Sequence, residues 1–254
     1  MTAPGDLSPA RNMKVTTRLA LAVLPASIWC AIRSELPLTR LRWKNTMAPW
    51  RSRRLHRMTD IRLHLGCGKR AASGWVNVDG FKQNGVDLMW DLRSRLPFGN
   101  AAVLMIYSEH VLEHLEYEEV EVLLAECHRL LAPNGRIRIG VPDAGIYLRA
   151  YSEDRREFFE SLQHLGGAAR PLTTPIAVIN QSFRMGGAHK FAWDFESLRA
   201  AFERAGFTAV KQFPSGQASR ADLCLDDPSR AFETLYVEAV RPSTEAGGNG
   251  ATEA

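Results

Sequence analysis

The chain has 254 residues and a mass of 28.3 kDa, with 45% apolar and 24% charged side chains and a formal charge of +4. That length carries one or two domains with a real hydrophobic core, and the composition excludes wholesale disorder. Four scattered cysteines (Cys30, Cys67, Cys127 and Cys224) form no CxxC pair, which argues against a disulfide scaffold and for a reducing compartment.

The charge is unevenly placed. Residues 1–59 hold 11 Lys/Arg against Asp6 and Glu35, a net +9, and residues 60–254 carry −5. The chain therefore divides into a basic arm (1–59), a mildly acidic body (60–242) and a short tail (243–254) expected to be disordered. Met1 to Arg11 is rich in Pro, Gly and Ser and reads as a disordered lead. Leu19 to Ile32 is apolar over 14 residues but broken by Pro25. A membrane span needs about 20 apolar residues, so no integral span is expected. An export signal fits less well than a retained arm, because no A-x-A cleavage site follows and arginines come next. Residues 38–57 interleave Arg40, Arg42, Lys44, Arg51, Arg53, Arg54 and Arg57 with Trp43 and Trp50. Such interleaving suits an anionic membrane surface or RNA, through residues 33–57. It equally suits a solvated arm whose Trp and Leu residues dock on the body.

From residue 61 the pattern alternates. Ile61 to Leu65, Trp75 to Asp79, Val86 to Trp90 and Val103 to Tyr107 are short apolar runs that read as strands. Val120, Leu123, Leu124, Cys127, Leu130 and Leu131 recur at helical spacing behind a cluster of glutamates, and Pro133-Asn134-Gly135 is a stop signal. Arg136 to Val141 is a further strand, Phe195 to Ala205 a second amphipathic helix, and Phe207 to Phe213 and Thr234 to Val240 two late strands. This alternation predicts an α/β sheet, whose ligands sit at the carboxyl ends of the strands.

The first strand ends in His64-Leu65-Gly66-Cys67-Gly68, and the second in Asp79, 11 residues beyond Gly68. Two glycines one apart permit a tight turn and a close backbone approach. A carboxylate at the next strand end can accept hydrogen bonds from a ribose diol. A dinucleotide fingerprint would need a third glycine, a full helix and an acid about 20 residues on. Arg70 stands at the third glycine position, so the spacing suits a nucleoside without phosphates better than NAD.

Residues 61–143 resemble a class I S-adenosylmethionine-dependent methyltransferase. LHLGCGKRAASGWVNVDG (Leu63–Gly80), LPFGNAAVLMIYSEHVLEHL (Leu96–Leu115) and ECHRLLAPNGRIRIGVPD (Glu126–Asp143) are similar to that family's cofactor loop, fourth strand and fifth strand, and HKFAWDFESLRAAFERAGF (His189–Phe207) and ETLYVEAVRP (Glu233–Pro242) to its ending. The resemblance implies a Rossmann-like, doubly wound, mostly parallel seven-stranded sheet with the last strand antiparallel, and S-adenosylmethionine as cofactor. It places Gly66, Cys67 and Gly68 at the methionyl portion, Asp79 at the ribose hydroxyls, and Asp91 with Leu92 at the adenine. Ser108, Glu109 and His110 would lie near the sulfonium. In that family an acid usually stands where this chain has His64.

His110, Asp143 and His189 are the candidates for a catalytic base, with a turn-forming role open to Asp143 and a solvated one to His189. His110-Val111-Leu112-Glu113-His114 also matches an H-x-x-E-H zinc motif, which on a helix would put both histidines on one face. No metal is expected in the methyltransferase reading. Cys67 fits the loop as a small residue rather than a nucleophile. The expected activity is methyl transfer to a small molecule or glycan in the cytoplasm, with the arm peripheral to the inner membrane face. The alternatives are an RNA methyltransferase that uses the arm, and a non-catalytic S-adenosylmethionine-binding protein.

Overall fold

A computed structural model describes residues 26–46, 49–162 and 171–243, with side chains at 35–46, 53–162 and 171–243. The lead at 1–11, the tail from 244, residues 19–25 of the apolar run and the Trp50 side chain lie outside the described residues.

Seven strands form one sheet in the order β3-β2-β1-β4-β5-β7-β6. They are β1 (Ile61–Leu65), β2 (Val76–Asp79), β3 (Leu88–Met89), β4 (Val103–Glu109), β5 (Leu131–Pro142), β6 (Thr208–Phe213) and β7 (Thr234–Val240). All neighbours pair in parallel except β7, which runs antiparallel to both β5 and β6. The expected Rossmann-like sheet with an antiparallel last strand is thus present. The expected strand over Val86 to Trp90 shrinks to the two residues of β3 at the sheet edge.

Helices are distributed unequally along the chain. α1 (Ala26–Thr46) and α2 (Pro49–His56) precede the sheet, α3 (Tyr117–Leu130) joins β4 to β5, and α4 (Ala144–Ser152), α5 (Arg156–Ser161), α6 (Pro175–Arg184) and α7 (Phe195–Arg204) lie between β5 and β6. The links from β1 to β2 and from β2 to β3 contain no helix. The ten residues 66–75 and the eight residues 80–87, with five glycines between them, leave little length for one.

The apolar face of α3 buries Val120, Leu123, Leu124, Cys127 and Leu130. α7 starts at Asp194, whose carboxylate accepts the Ser197 N–H at 2.9 Å, and buries Leu198, Ala201 and Phe202. With Leu63, Ile106, Ile137 and Ile139 from the strands they form one core. Burying each such side chain contributes about 1.5–3 kcal/mol. α3 ends at Leu131, before the proline, and Asn134 at φ 62° sits in an irregular stretch of β5. The stop signal therefore shapes the start of the strand rather than the end of the helix.

Across the opposite face, the register aligns His64, Tyr107, Arg138 and Glu238 in one row. Arg138 is fully buried and donates to Asp226 at 2.8 and 2.5 Å and to Glu238 at 2.9 Å. These bonds fasten the segment between β6 and β7 over that face, where its Leu223 packs with Met105 and Tyr107. A satellite cluster of Tyr147, Ala150, Phe159, Leu162, Val178 and Ile179 joins α4, α5 and α6 beyond the carboxyl end of β5.

Candidate functional site at the carboxyl edge

The loop after β1 is built for close approach. Gly66 takes φ +67°, and a Cβ there would stand 2.1 Å from the Val111 side chain, so both conformation and space require glycine. Gly68 takes φ +51°, yet a Cβ there would meet nothing within 4 Å, so the space above this turn is open. Asp79, at the carboxyl end of β2 and 8% exposed, holds the loop: its Oδ2 accepts the Gly68 N–H and its Oδ1 the Phe81 N–H, each at 2.8 Å. Each oxygen retains a further lone pair for a second donor. Cys67 is buried, and burial reinforced by Asp79 pushes its thiol up to about 11. It is no thiolate nucleophile at neutral pH.

His64 is buried, and burial with the nearby Arg70 charge lowers it to about 4, so its ring is neutral at pH 7. A neutral ring thus stands where the family usually places a carboxylate. Arg70, the residue at the third glycine position, reaches across the loop to Glu109 at 2.5 Å and to the Leu225 carbonyl at 2.9 Å. Glu109 also accepts the Tyr236 hydroxyl at 2.5 Å and the Asp227 N–H at 3.2 Å. Ser108 is 1% exposed at the end of β4.

The next acid is fully engaged. Asp91, 3% exposed, accepts Arg42 Nε at 2.6 Å, the Arg93 N–H at 3.0 Å, and Arg93 Nε and a second guanidinium nitrogen at 3.1 Å each. Four donors match the four lone-pair positions of a carboxylate. Burial alone would raise its pKa; the Arg93 and Arg42 bonds outweigh burial and hold it below the ordinary value. Arg93 in turn donates to both oxygens of Glu35 at 2.8 and 3.0 Å. Arg42 and Glu35 belong to α1, so the basic arm docks at the predicted adenine position. Leu38 packs against Gly80, Leu41 is buried, and Asn45 donates to the Met89 carbonyl at 3.2 Å. The helix also contacts the Met185–Gly187 turn, so it straddles the carboxyl edge. Trp43 is 66% exposed, so it is not what docks the arm. Leu92 is buried beneath this network.

The opposite end of the edge gathers the catalytic candidates. His110 follows β4 with φ 54°, a conformation that non-glycine residues rarely adopt. Its Nδ1 faces Glu113 Oε1 at 3.1 Å and its Nε2 faces Thr234 Oγ1 at 3.0 Å, so both ring nitrogens are engaged. The Thr234 hydroxyl donates to the Arg230 carbonyl at 2.8 Å. Glu113 is 2% exposed; burial would raise its carboxyl, and His110 outweighs burial to hold it below the ordinary value. Asp143 caps α4 by accepting the Gly145 N–H at 2.8 Å, and burial raises its pKa. His189 is 8% exposed, its Nδ1 bonds to the Ser182 carbonyl, and burial lowers its pKa. It lines a cavity of about 30 Å³ with Tyr147, Arg230 and Glu233. Tyr147 donates to Glu233 at 2.6 Å and Arg230 pairs with Glu233 at 2.7 Å. This acid–phenol–guanidinium cluster carried no sequence signal of its own, and Glu113 was marked only as the acid of the H-x-x-E-H stretch. A larger hollow of about 340 Å³ lies under α1 and β3, away from the loop glycines.

The H-x-x-E-H stretch does not form a zinc-protease helix. Leu112–His114 is a single 3₁₀ turn and His110 lies in the left-handed region, so the two histidines do not share a helical face.

Residues 81–139, spanning β3, β4, α3 and most of β5, match the family described as a methyltransferase domain. The sheet order is the Rossmann-like one expected from the sequence, and the family match falls on its central part. Sequence comparison with curated proteins gives no match. Among solved structures, this chain is similar to an S-adenosylmethionine-dependent methyltransferase from Mesorhizobium loti at 18% identity, covering 75% of this chain and 96% of that one with a TM-score of 0.41. It is similar to Haemonchus contortus phosphoethanolamine N-methyltransferase 2, crystallised with S-adenosylmethionine, at 14% identity, covering 79% and 53% with a TM-score of 0.42. A candidate O-methyltransferase from Nostoc punctiforme is similar at 13% identity over 54% of this chain, which spans about a third (31%) of that protein, with a TM-score of 0.33.

Proposed function

We propose that the chain binds S-adenosylmethionine at the β1–β2 end of the carboxyl edge and transfers its methyl group to a small-molecule or glycan acceptor at the β4–β5 end. The observation that carries this reading is Asp79. Its Oδ2 pins the Gly66–Gly68 turn, both oxygens keep a lone pair for a ribose diol, and the space over Gly68 is open. Gly66, Cys67 and Gly68 would pass the methionyl portion, and Ser108 and Glu109 would flank the sulfonium. Asp91 and Leu92 would meet the adenine once Arg42 gives up its place on the carboxylate.

A sulfonium is an activated leaving group, so the chain's contribution is to align the acceptor with the methyl. An acceptor hydroxyl or ammonium would need a base. Among the three candidates, Asp143 serves as a helix cap and His110 has both nitrogens engaged, whereas His189 has one nitrogen engaged and borders the cavity. The apolar walls contributed by α4 and α6 support a compact acceptor. The docking of Arg42, Glu35 and Leu41 onto the body speaks against a free RNA-binding arm. Among the described residues no helix is long and apolar enough to cross a membrane.

The test is a methyl-transfer screen across sugars, small metabolites and RNA, read by release of S-adenosylhomocysteine. Turnover with a sugar or metabolite and none with RNA is expected. Turnover confined to RNA would overturn the acceptor assignment. Cofactor binding without turnover on any acceptor would leave a binding protein.

A further inference from the structure

Among the described residues seven buried side-chain polar atoms lack a hydrogen-bond partner. Of the two carboxylate oxygens among them, Glu233 Oε1 still pairs with Arg230, whereas Glu113 Oε2 does not pair. Glu113 is 2% exposed, and its Oε1 pairs with His110, but its Oε2 is buried with no hydrogen-bond partner among the described residues. A carboxylate oxygen shut away from water without a donor is costly, and native proteins supply such atoms with a hydrogen bond or a cation. Two imidazoles converge on the same place. His114 and His189 pack edge to face with ring centroids 4.7 Å apart, and one ligand atom each from Glu113, His114 and His189 lies within 4.8 Å of the others.

The tautomers follow from the hydrogen bonds. His114 Nδ1 lies 3.2 Å from the Ala188 carbonyl, and His189 Nδ1 bonds to the Ser182 carbonyl. A carbonyl oxygen only accepts, so each Nδ1 carries the proton and each Nε2 presents a bare lone pair. A backbone carbonyl fixing Nδ1–H is the arrangement that orients imidazole ligands toward a metal. The backbone is fixed as well: the Lys190 N–H donates to the Glu113 carbonyl at 2.7 Å, tying the His189 segment to the 3₁₀ turn.

We propose that Glu113, His114 and His189 form a site for one divalent transition-metal ion of the zinc type. Two imidazole nitrogens and one carboxylate oxygen are the donor set of a three-ligand zinc site that keeps its fourth position open. Tetrahedral bonds of about 2.0–2.1 Å put donors about 3.4 Å apart, so closing the site takes movements on the scale of a side-chain torsion. His189 also lines the cavity with Tyr147, Arg230 and Glu233, so the fourth ligand would be a water, hydroxyl or carboxylate oxygen from that cavity. This site differs from the zinc-protease pattern in the sequence: His110 bonds Glu113 and Thr234, while His189, 75 residues beyond His114, supplies the third ligand.

The experiment uses the full-length, tag-free chain, stripped with EDTA and titrated with zinc chloride by calorimetry, with metal content measured after dialysis. Cobalt(II) absorption in the visible region reports the ligand set. We expect one zinc per chain, and a loss of affinity of at least about tenfold in His114→Ala, His189→Ala and Glu113→Gln, with the cobalt spectrum altered in each. His114 is exposed, so His114→Ala should match the metal-free wild type in unfolding midpoint, which separates a lost ligand from a lost fold. Absence of stoichiometric zinc in the wild type, or wild-type affinity in both histidine variants, would overturn the site. No cofactor enters the measurement, so its outcome is independent of the cofactor assignment, while a bound zinc would occupy the His189 nitrogen offered above as a base.

Discussion

The two ends of the carboxyl edge satisfy their polar groups in opposite ways. At the β1–β3 end Asp79 is answered by two backbone N–H groups and Asp91 by Arg42 and Arg93, and where β4 adjoins it Glu109 is answered by Arg70 and Tyr236. At the β4–β5 end the inserted helices bring buried acids and histidines together and leave Glu113 Oε2 with nothing. The first end is preorganised, and a ligand there must either add to Asp79 or displace Arg42. The second is incomplete among the described residues, which is where a metal or an acceptor would find its binding energy.

Changes at the preorganised end should therefore act first on stability. Gly66→Ala meets Val111 and a left-handed backbone at once, and should cost about 4 kcal/mol, read as a lowered urea midpoint. A variant as stable as the wild type would show that the loop is not held as described. His64 comes next. Its folded pKa of about 4 lies below the ordinary 6.5, so the unfolded chain takes up the proton first. Its contribution is complete above pH 6.5 and is lost as pH falls toward 4, amounting to about 3 kcal/mol. His64→Gln should flatten that part of the pH–stability curve; an unchanged slope would place the acid sensitivity elsewhere. Arg42→Ala has the smallest effect, about 1 kcal/mol, because the Arg42 side chain is 44% exposed and Arg93 still answers Asp91. Its value lies in binding: freeing one face of Asp91 should tighten S-adenosylmethionine about threefold, whereas weaker binding would mean that α1 forms a wall of the cofactor site.

What could be read from the sequence was local. β4, β5, β7, α3 and α7 declare themselves through unbroken apolar runs or 3.6-residue spacing, and the Gly66–Asp79 unit through glycines and an acid at fixed distance. β3 showed only as an over-long run, Val86 to Trp90, because two residues at a sheet edge have no periodicity to set their bounds. The Arg42–Asp91 and Arg93–Glu35 pairs, 49 and 58 residues apart, exist only once α1 lies across the edge. The same holds for Arg70 reaching Glu109 and for His189 meeting His114. In each case the sequence supplied the residue, and the departure from glycine at Arg70 even marked it, but the partner is chosen by the fold.

The most direct measurement is a calorimetric titration of S-adenosylmethionine into the wild type and Asp79→Ala, with circular dichroism showing that both are folded. Loss of the ribose hydrogen bonds to a carboxylate should weaken binding at least about tenfold, equivalent to 1.4 kcal/mol or more. Equal affinities in the two proteins would contradict the assignment of the carboxyl edge as the cofactor site.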